Sequence, residues 1–119
     1  MDDGRPLFVQ IAEIIENSII DGTLEEEAQA PSTNELAAFH RINPATAAKG
    51  LNQLVSDGVL YKRRGIGMFV APGARAELRR RRQERFARQY IEPLVAEADK
   101  LGISLTDLKR MLDQQEVQR

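Results

Sequence analysis

The 119-residue chain has no cysteine, one histidine and no long hydrophobic run. Without cysteine there is neither a disulfide framework nor a thiolate zinc site, and the composition fits a reducing compartment. No apolar run approaches the ~20 residues needed to cross a bilayer. The opening stretch MDDGRPLF is acidic and lacks an apolar core, so it does not read as a signal peptide. The expected location is cytoplasmic, with no membrane partner. With His40 alone, no Ser-His-Asp set can be assembled, and the many carboxylates fall at polar positions. The chain is therefore not expected to be an enzyme. His40 has no second strong ligand at helical spacing, so neither a metal nor a cofactor is expected. Near a turn, it reads as solvated or as a phosphate contact.

What is present is enough apolar material, 42% of residues, for one small domain with a core plus an appendage. The formal net charge of -1 hides a strong segregation. Acids crowd the front: Asp2, Asp3, Glu13, Glu16, Asp21, Glu25, Glu26, Glu27 and Glu35. Between Arg41 and Arg64, the basic Arg41, Lys49, Lys62, Arg63 and Arg64 face only Asp57. Between Arg75 and Arg88, seven arginines face Glu77 and Glu84. An anion responds to such local fields, not to the average.

Helical spacing of Phe8, Ile11, Ala12, Ile15, Ser18 and Ile19 predicts a helix from about Leu7 to Asp21, ended by Gly22. TLEEEAQAP reads as a loop. STNE, Ser32 to Glu35, has the capping-box pattern and opens a short second helix through about Phe39. After the turn HRIN, Asn43 is a natural N-cap and Pro44 suits the first helical position, where an N–H is not needed. The third helix buries Ala47, Leu51, Leu54 and Val55 and ends at Gly58. It presents Ala45, Thr46, Lys49, Gln53 and Ser56 on the other side. VLYKRR and GMFVA flank GIG as a β-hairpin whose tip carries Arg63, Arg64, Gly65 and Gly67. APG, Ala71 to Gly73, marks a boundary. The rest is helical: Ala87, Ile91, Leu94, Ala98 and Leu101 alternate at 4 and 3, Pro93 predicts a kink, Gly102 stops the helix, and SLTD restarts one.

Helix, helix, helix, hairpin is the winged helix-turn-helix order, in which the third helix enters a major groove by its N-terminal end. Small residues at Ala45, Ala47 and Ala48 allow close approach. Asn43 and Thr46 can hydrogen-bond phosphates or base edges, and Lys49 adds charge. The lone Gly-x-Gly at the tip is no phosphate loop; its glycines suit a minor groove, with Arg63 or Arg64 on phosphates. Arg79 to Arg82 read as a solvated helix face, a DNA-backbone contact or a partner for another subunit's carboxylates. The apolar seam calls for a cover: the chain's own last helix, a second chain, or both. RNA binding is disfavoured, since only Tyr61 and Phe69 are aromatic near this surface.

PLFVQIAEIIENSIIDGTL, PSTNELA and INPATAAKGLNQLVSDGVLYKRRGIGMFV, in this order and spacing, resemble the GntR family of bacterial transcriptional regulators. The INPAT turn, the short tail and LGIS resemble its YtrA-type subfamily. The resemblance covers about Pro6 to Ala71 and extends loosely through the tail. It implies a dimeric repressor or regulator with a two-helix dimerisation region and no large effector domain. Control of nearby ABC-transporter genes is common in that subfamily. Thr46 matches the family's threonine, and Gly65 and Gly67 its wing glycines. Asn34 stands where the family often has a DNA-contacting arginine, and Pro44 where another is common. EEEAQA replaces the usual Pro-Gly turn. With Asn34 in place of the DNA-contacting arginine, base readout is expected to be weaker or shifted to Arg41 and the wing, while Pro44 is as in the YtrA-like subgroup.

The expected architecture is mainly α with a small β-hairpin: a winged helix-turn-helix DNA-binding domain, residues 1–72, then a two-helix dimerisation tail, residues 73–119. Its DNA-binding residues are Ser32, Thr33, Asn34, Arg41, Asn43, Pro44, Ala45, Thr46, Lys49, Arg63, Arg64, Gly65 and Gly67. Its dimerisation residues are Phe86, Tyr90, Ile91, Leu94, Ala98, Leu101, Leu105, Leu108 and Leu112. The expected partners are a palindromic double-stranded DNA operator, a second copy of the chain, and an unidentified small-molecule effector. The competing expectation is a dimeric winged-helix adaptor without specific DNA readout, since fold alone does not settle function.

Overall fold

The computed structural model describes residues 4–115, so Asp2 and Asp3 of the acidic front lie outside the described residues. The chain divides into two compact units, one running to Arg80 and one starting at Arg81.

The first unit opens with α1, Leu7–Ile20, which buries Ile11, Ala12, Ile15 and Ile19. Gln10 is buried too, and its Nε2 is satisfied by the Arg5 carbonyl at 2.8 Å. Gly22, at φ +87°, turns the chain away. α2, Thr33–His40, starts on the predicted capping box. α3, Pro44–Ser56, starts on Asn43, whose Oδ1 accepts the Ala45 N–H at 2.8 Å. It ends in a Schellman motif: Gly58 N–H bonds the Val55 carbonyl at 3.1 Å and Val59 N–H the Leu54 carbonyl at 2.9 Å.

The buried side of α3 includes Gly50 along with Ala47, Leu51 and Leu54, while Val55 is half-buried. A Cβ on Gly50 would lie 2.9 Å from the Phe8 carbonyl oxygen and 3.0 Å from Ile11 Cγ2. This glycine sets how closely α1 and α3 approach.

β1, Leu60–Arg63, and β2, Gly67–Val70, pair antiparallel, with Leu60 opposite Val70 and Arg63 opposite Gly67. The segment read from sequence as a plain loop does more than connect. Glu27 N–H bonds the Val70 carbonyl at 2.8 Å, Val70 N–H the Ala28 carbonyl at 3.0 Å, and Ala30 N–H the Met68 carbonyl at 2.8 Å. Gln29 bridges to Phe69, so the segment lies along the free edge of β2 and covers it. Its polar sequence hides this role because only Ala30 there is fully buried.

The helix that follows the boundary expected at residue 72, α4 at Ala74–Phe86, starts within the first unit: Ala74 and Leu78 belong to its core, and Arg75 Nε donates to the Ile20 carbonyl at 3.0 Å. Each large aliphatic buried in this core contributes about 1.5–3 kcal/mol. That gain attaches the first turns of α4 to the winged unit despite the preceding Pro-Gly.

The second unit holds the end of α4, a π-helical turn at Ala87–Ile91, α5 at Glu92–Lys100 and α6 at Leu105–Asp113. The disturbance expected at Pro93 takes the form of that π turn, in which Glu92 N–H reaches back five residues to the Ala87 carbonyl. Pro93 has no N–H to continue the α pattern, and the extra residue of a π turn breaks the even 4–3 spacing of the apolar seam. Gly102, at φ +69°, closes α5 with a second Schellman pair, and the Ser104 hydroxyl caps α6 by accepting the Asp107 N–H at 3.1 Å.

Candidate nucleic-acid interface

At the start of α2, Ser32 and Glu35 hold each other. The Ser32 hydroxyl accepts the Glu35 N–H at 3.1 Å, and Glu35 Oε1 accepts the Ser32 N–H at 3.0 Å. The Ser32 N–H first, and the Ser32 hydroxyl beside it second, keep the Glu35 carboxyl below its usual range. Ser32 is thereby committed to the cap, whereas Thr33 is half-buried and Asn34 is exposed.

The turn between α2 and α3 is made by Arg41 in the left-handed region, at φ +54°. An arginine there is costlier than glycine, and it leaves an exposed cation immediately before the third helix. The first turn of α3 is bare, with Asn43, Pro44 and Ala45 exposed and Thr46 half-buried. Capping occupies the Asn43 oxygen and leaves its amide NH2 for a ligand. The Lys49 ammonium lies 4.1 Å from the centroid of the Phe8 ring, so α1 helps to fix its position.

On the wing, the Arg63 guanidinium lies 5.1 Å over the Phe69 ring, which also stacks with Tyr61. The Tyr61 hydroxyl donates to Glu27, and that bond, with burial, raises its pKa. At the tip, Lys62, Arg63, Arg64, Gly65 and Ile66 are exposed. A cleft of about 300 Å³ joins the wing to the start of α2, lined by Ser32, Thr33, Asn34, Gln29, Ile66 and Gly67 among others. Two groups of residues predicted to bind DNA thus meet on one surface.

Sequence reasoning missed two members of that surface. Gln29 sits in a polar stretch with no local signature. Ile66 was visible only as an apolar residue between two glycines.

The second basic zone is partly structural. Arg75 is tied to the end of α1, and Arg80 pairs with Glu77 at 2.8 Å. His40 lies edge-on to Phe39, their ring centroids 4.9 Å apart. Among the described residues no group of three or more His, Cys, Asp or Glu side chains could hold a metal, and no helix is long and apolar enough to cross a membrane.

The residues expected to dimerise separate into two sets. Ala98 and Leu108 are buried within the chain. Phe86, Tyr90, Ile91, Leu94, Leu101, Leu105 and Leu112 are exposed, together with Val95 and Met111.

A helix-turn-helix with a bare-ended third helix, followed by a cationic hairpin and long helices, defines a winged-helix DNA-binding protein. The family described as "Bacterial regulatory proteins, gntR family" matches residues 7–70. The chain belongs to this GntR family of DNA-binding transcriptional regulators, which are not enzymes, and it is similar to YtrA-like members of it. The uncharacterized regulator YhcF of Bacillus subtilis is 26% identical over 87% of this chain and 84% of its own length. The repressor YtrA of the same organism is 24% identical over 87% and 78%. Against YurK, also of Bacillus subtilis, identity is 34%, but the match spans only 31% of that protein.

Among solved structures, a GntR-family regulator from Bacteroides thetaiotaomicron superposes with a TM-score of 0.77 at 33% identity. It covers 91% of this chain and 94% of that one. The DNA-binding domain of AraR in complex with operator ORX1 matches at 32% identity and TM-score 0.56, over 60% of this chain and 86% of that one.

Proposed function

We propose that this regulator acts as a homodimeric repressor that places two α3 helices in successive major grooves of a palindromic operator, about one helical turn apart. The observation that carries the reading is the surface formed by the exposed first turn of α3, Arg41, the start of α2 and the cationic wing. A likeness to a DNA-binding domain solved on its operator supports it. The similarity to the repressor YtrA supports repression. The nine exposed large apolar side chains among the described residues of the second unit support a homodimer. The family resemblance points to transporter genes as targets and to a small-molecule effector as the switch.

In this reading Thr33, Asn34, Arg41, Lys49, Arg63 and Arg64 meet phosphates, backed by Ser32 in the cap. The Asn43 amide and Thr46 meet base edges, while Pro44, Ala45, Gly65 and Gly67 allow close approach. Phosphate contacts supply most of the affinity, so binding falls steeply with salt.

The test is Lys49→Glu titrated against an operator and against random duplex. The expected result is weaker binding to both, with a shallower salt dependence. Asn43→Ala or Thr46→Ala is expected to cost ~1–3 kcal/mol on the operator alone. Equal affinity for the wild type and Lys49→Glu would remove this face from the interface and favour an adaptor that binds proteins.

A further inference from the structure

Ile66 stands at the hairpin tip, 56% exposed, in a turn of the kind that small or polar residues usually occupy. Single exposed aliphatics are ordinary on protein surfaces, but the surroundings of this one are built. Its N–H closes the turn on the Arg63 carbonyl at 2.9 Å. Its carbonyl accepts from Gln29 Nε2 at 3.1 Å, and Gln29 comes from a segment 37 residues away that is itself paired to β2.

The neighbours on both sides are glycines at φ +75° and +148°. A Cβ on Gly67 would fall 2.6 Å from Gln29 Nε2, so a side chain there would displace the end of Gln29 and loosen its hold on the tip. Three cations, Lys62, Arg63 and Arg64, precede it and are exposed. The result is an apolar point held by two hydrogen bonds, without flanking side chains, beside positive charge.

We propose that Ile66 is a minor-groove wedge. The tip enters the minor groove next to the major groove entered by α3, and the Ile66 side chain presses between two base pairs while the adjacent cations hold phosphates. Apolar wedges of this kind partly unstack a base step and bend the duplex. The cost is lowest at flexible pyrimidine–purine steps. Ile66 therefore selects such a step at a fixed offset from the α3 half-site, without hydrogen-bonding a base. This inference rests on the operator-binding reading above and adds a residue and a mode of selection to it.

The experiment selects duplexes from a random pool with the wild type and with Ile66→Ser, in full-length protein. It then measures binding to the wild-type-selected duplex carrying 2-aminopurine at the wing step. Ile66 is exposed, so the substitution leaves the core intact. The wedge predicts a pyrimidine–purine preference in the wild-type selection that Ile66→Ser loses. It predicts roughly tenfold weaker binding by the variant with an unchanged salt slope. The 2-aminopurine brightens on binding the wild type and stays dark with the variant. Gln29→Ala, which releases the tip carbonyl, is expected to show a smaller loss in the same direction.

A wild type that selects a half-site, with Ile66→Ser matching it in affinity and step preference, overturns the wedge alone. A wild type that selects no sequence overturns the operator reading and the wedge with it.

Discussion

The two units differ in how they treat most of their large apolar side chains, although the first also exposes Phe39 and Ile66. In the unit ending at Arg80, Ile11, Ile19, Leu51, Leu54, Leu60 and Val70 are nearly inaccessible, and α2 and α3 start on side-chain caps. In the unit from Arg81, Phe86, Tyr90, Leu101, Leu105 and Leu112 are each more than half exposed, and among the described residues only Ala98 and Leu108 are buried. The first has the makings of a self-sufficient domain. The second carries apolar surface of a kind that, when contiguous, marks an interaction site, and that surface motivates the homodimer proposal. The difference teaches a division of labour: a head with its own buried core, and a tail that leaves large apolar side chains exposed.

The largest expected effect breaks the tail. Leu94→Asp puts a charge among the exposed apolar residues and is expected to halve the mass seen in sedimentation equilibrium. Operator affinity should fall by roughly 10²-fold or more as bivalent engagement is lost. A persistent dimer would move the interface elsewhere.

The head should respond differently. Gly50→Ala forces a methyl against the Phe8 carbonyl and is expected to destabilise the first unit by ~1–3 kcal/mol in denaturant unfolding. The isolated change should leave sedimentation at native conditions untouched. Unaltered stability would mean that α1 and α3 separate easily.

Ser32→Ala removes the α2 cap and is expected to cost ~1 kcal/mol. It should also alter the acid limb of the stability profile. Glu35 has a depressed folded pKa, so its contribution is complete above its ordinary carboxylate value and is lost as pH falls through the lower folded value. In Ser32→Ala that loss should shrink, and an unchanged acid limb would contradict the assignment.

The smallest effect tests the turn. Arg41→Gly relieves a left-handed arginine and is expected to raise stability by ~0.5–1 kcal/mol. It should weaken DNA binding a few-fold and reduce the salt slope. A variant that gains stability and keeps its affinity would make Arg41 irrelevant to the interface.

Features encoded in a few adjacent residues were legible in the sequence. The capping box at Ser32 and Glu35, the Asn43–Pro44 start of α3, the glycines that end α1, α3 and α5, and the hairpin around GIG all follow from local backbone chemistry. Features created by distant segments were not. Nothing in EEEAQAP announces backbone pairing with β2, and nothing in APG reveals that Leu78 completes the preceding core. Pro93 signalled a disturbance but not a π turn. The same holds for the candidate interface. The residue types at α2, α3 and the wing were readable, but the capping commitments of Ser32 and Asn43, the Lys49–Phe8 contact and the Gln29 clamp depend on tertiary placement. The arginine-rich zone looked like a single field, and the fold assigns Arg75 and Arg80 to local tasks.

The most direct test of the central claim is selection of genomic fragments by the full-length protein at two salt concentrations, with sequencing of what is retained. The account predicts a short palindrome with half-sites one helical turn apart, still enriched at the higher salt. Retention of every fragment at low salt and of none at high salt would contradict it, leaving charge without sequence readout.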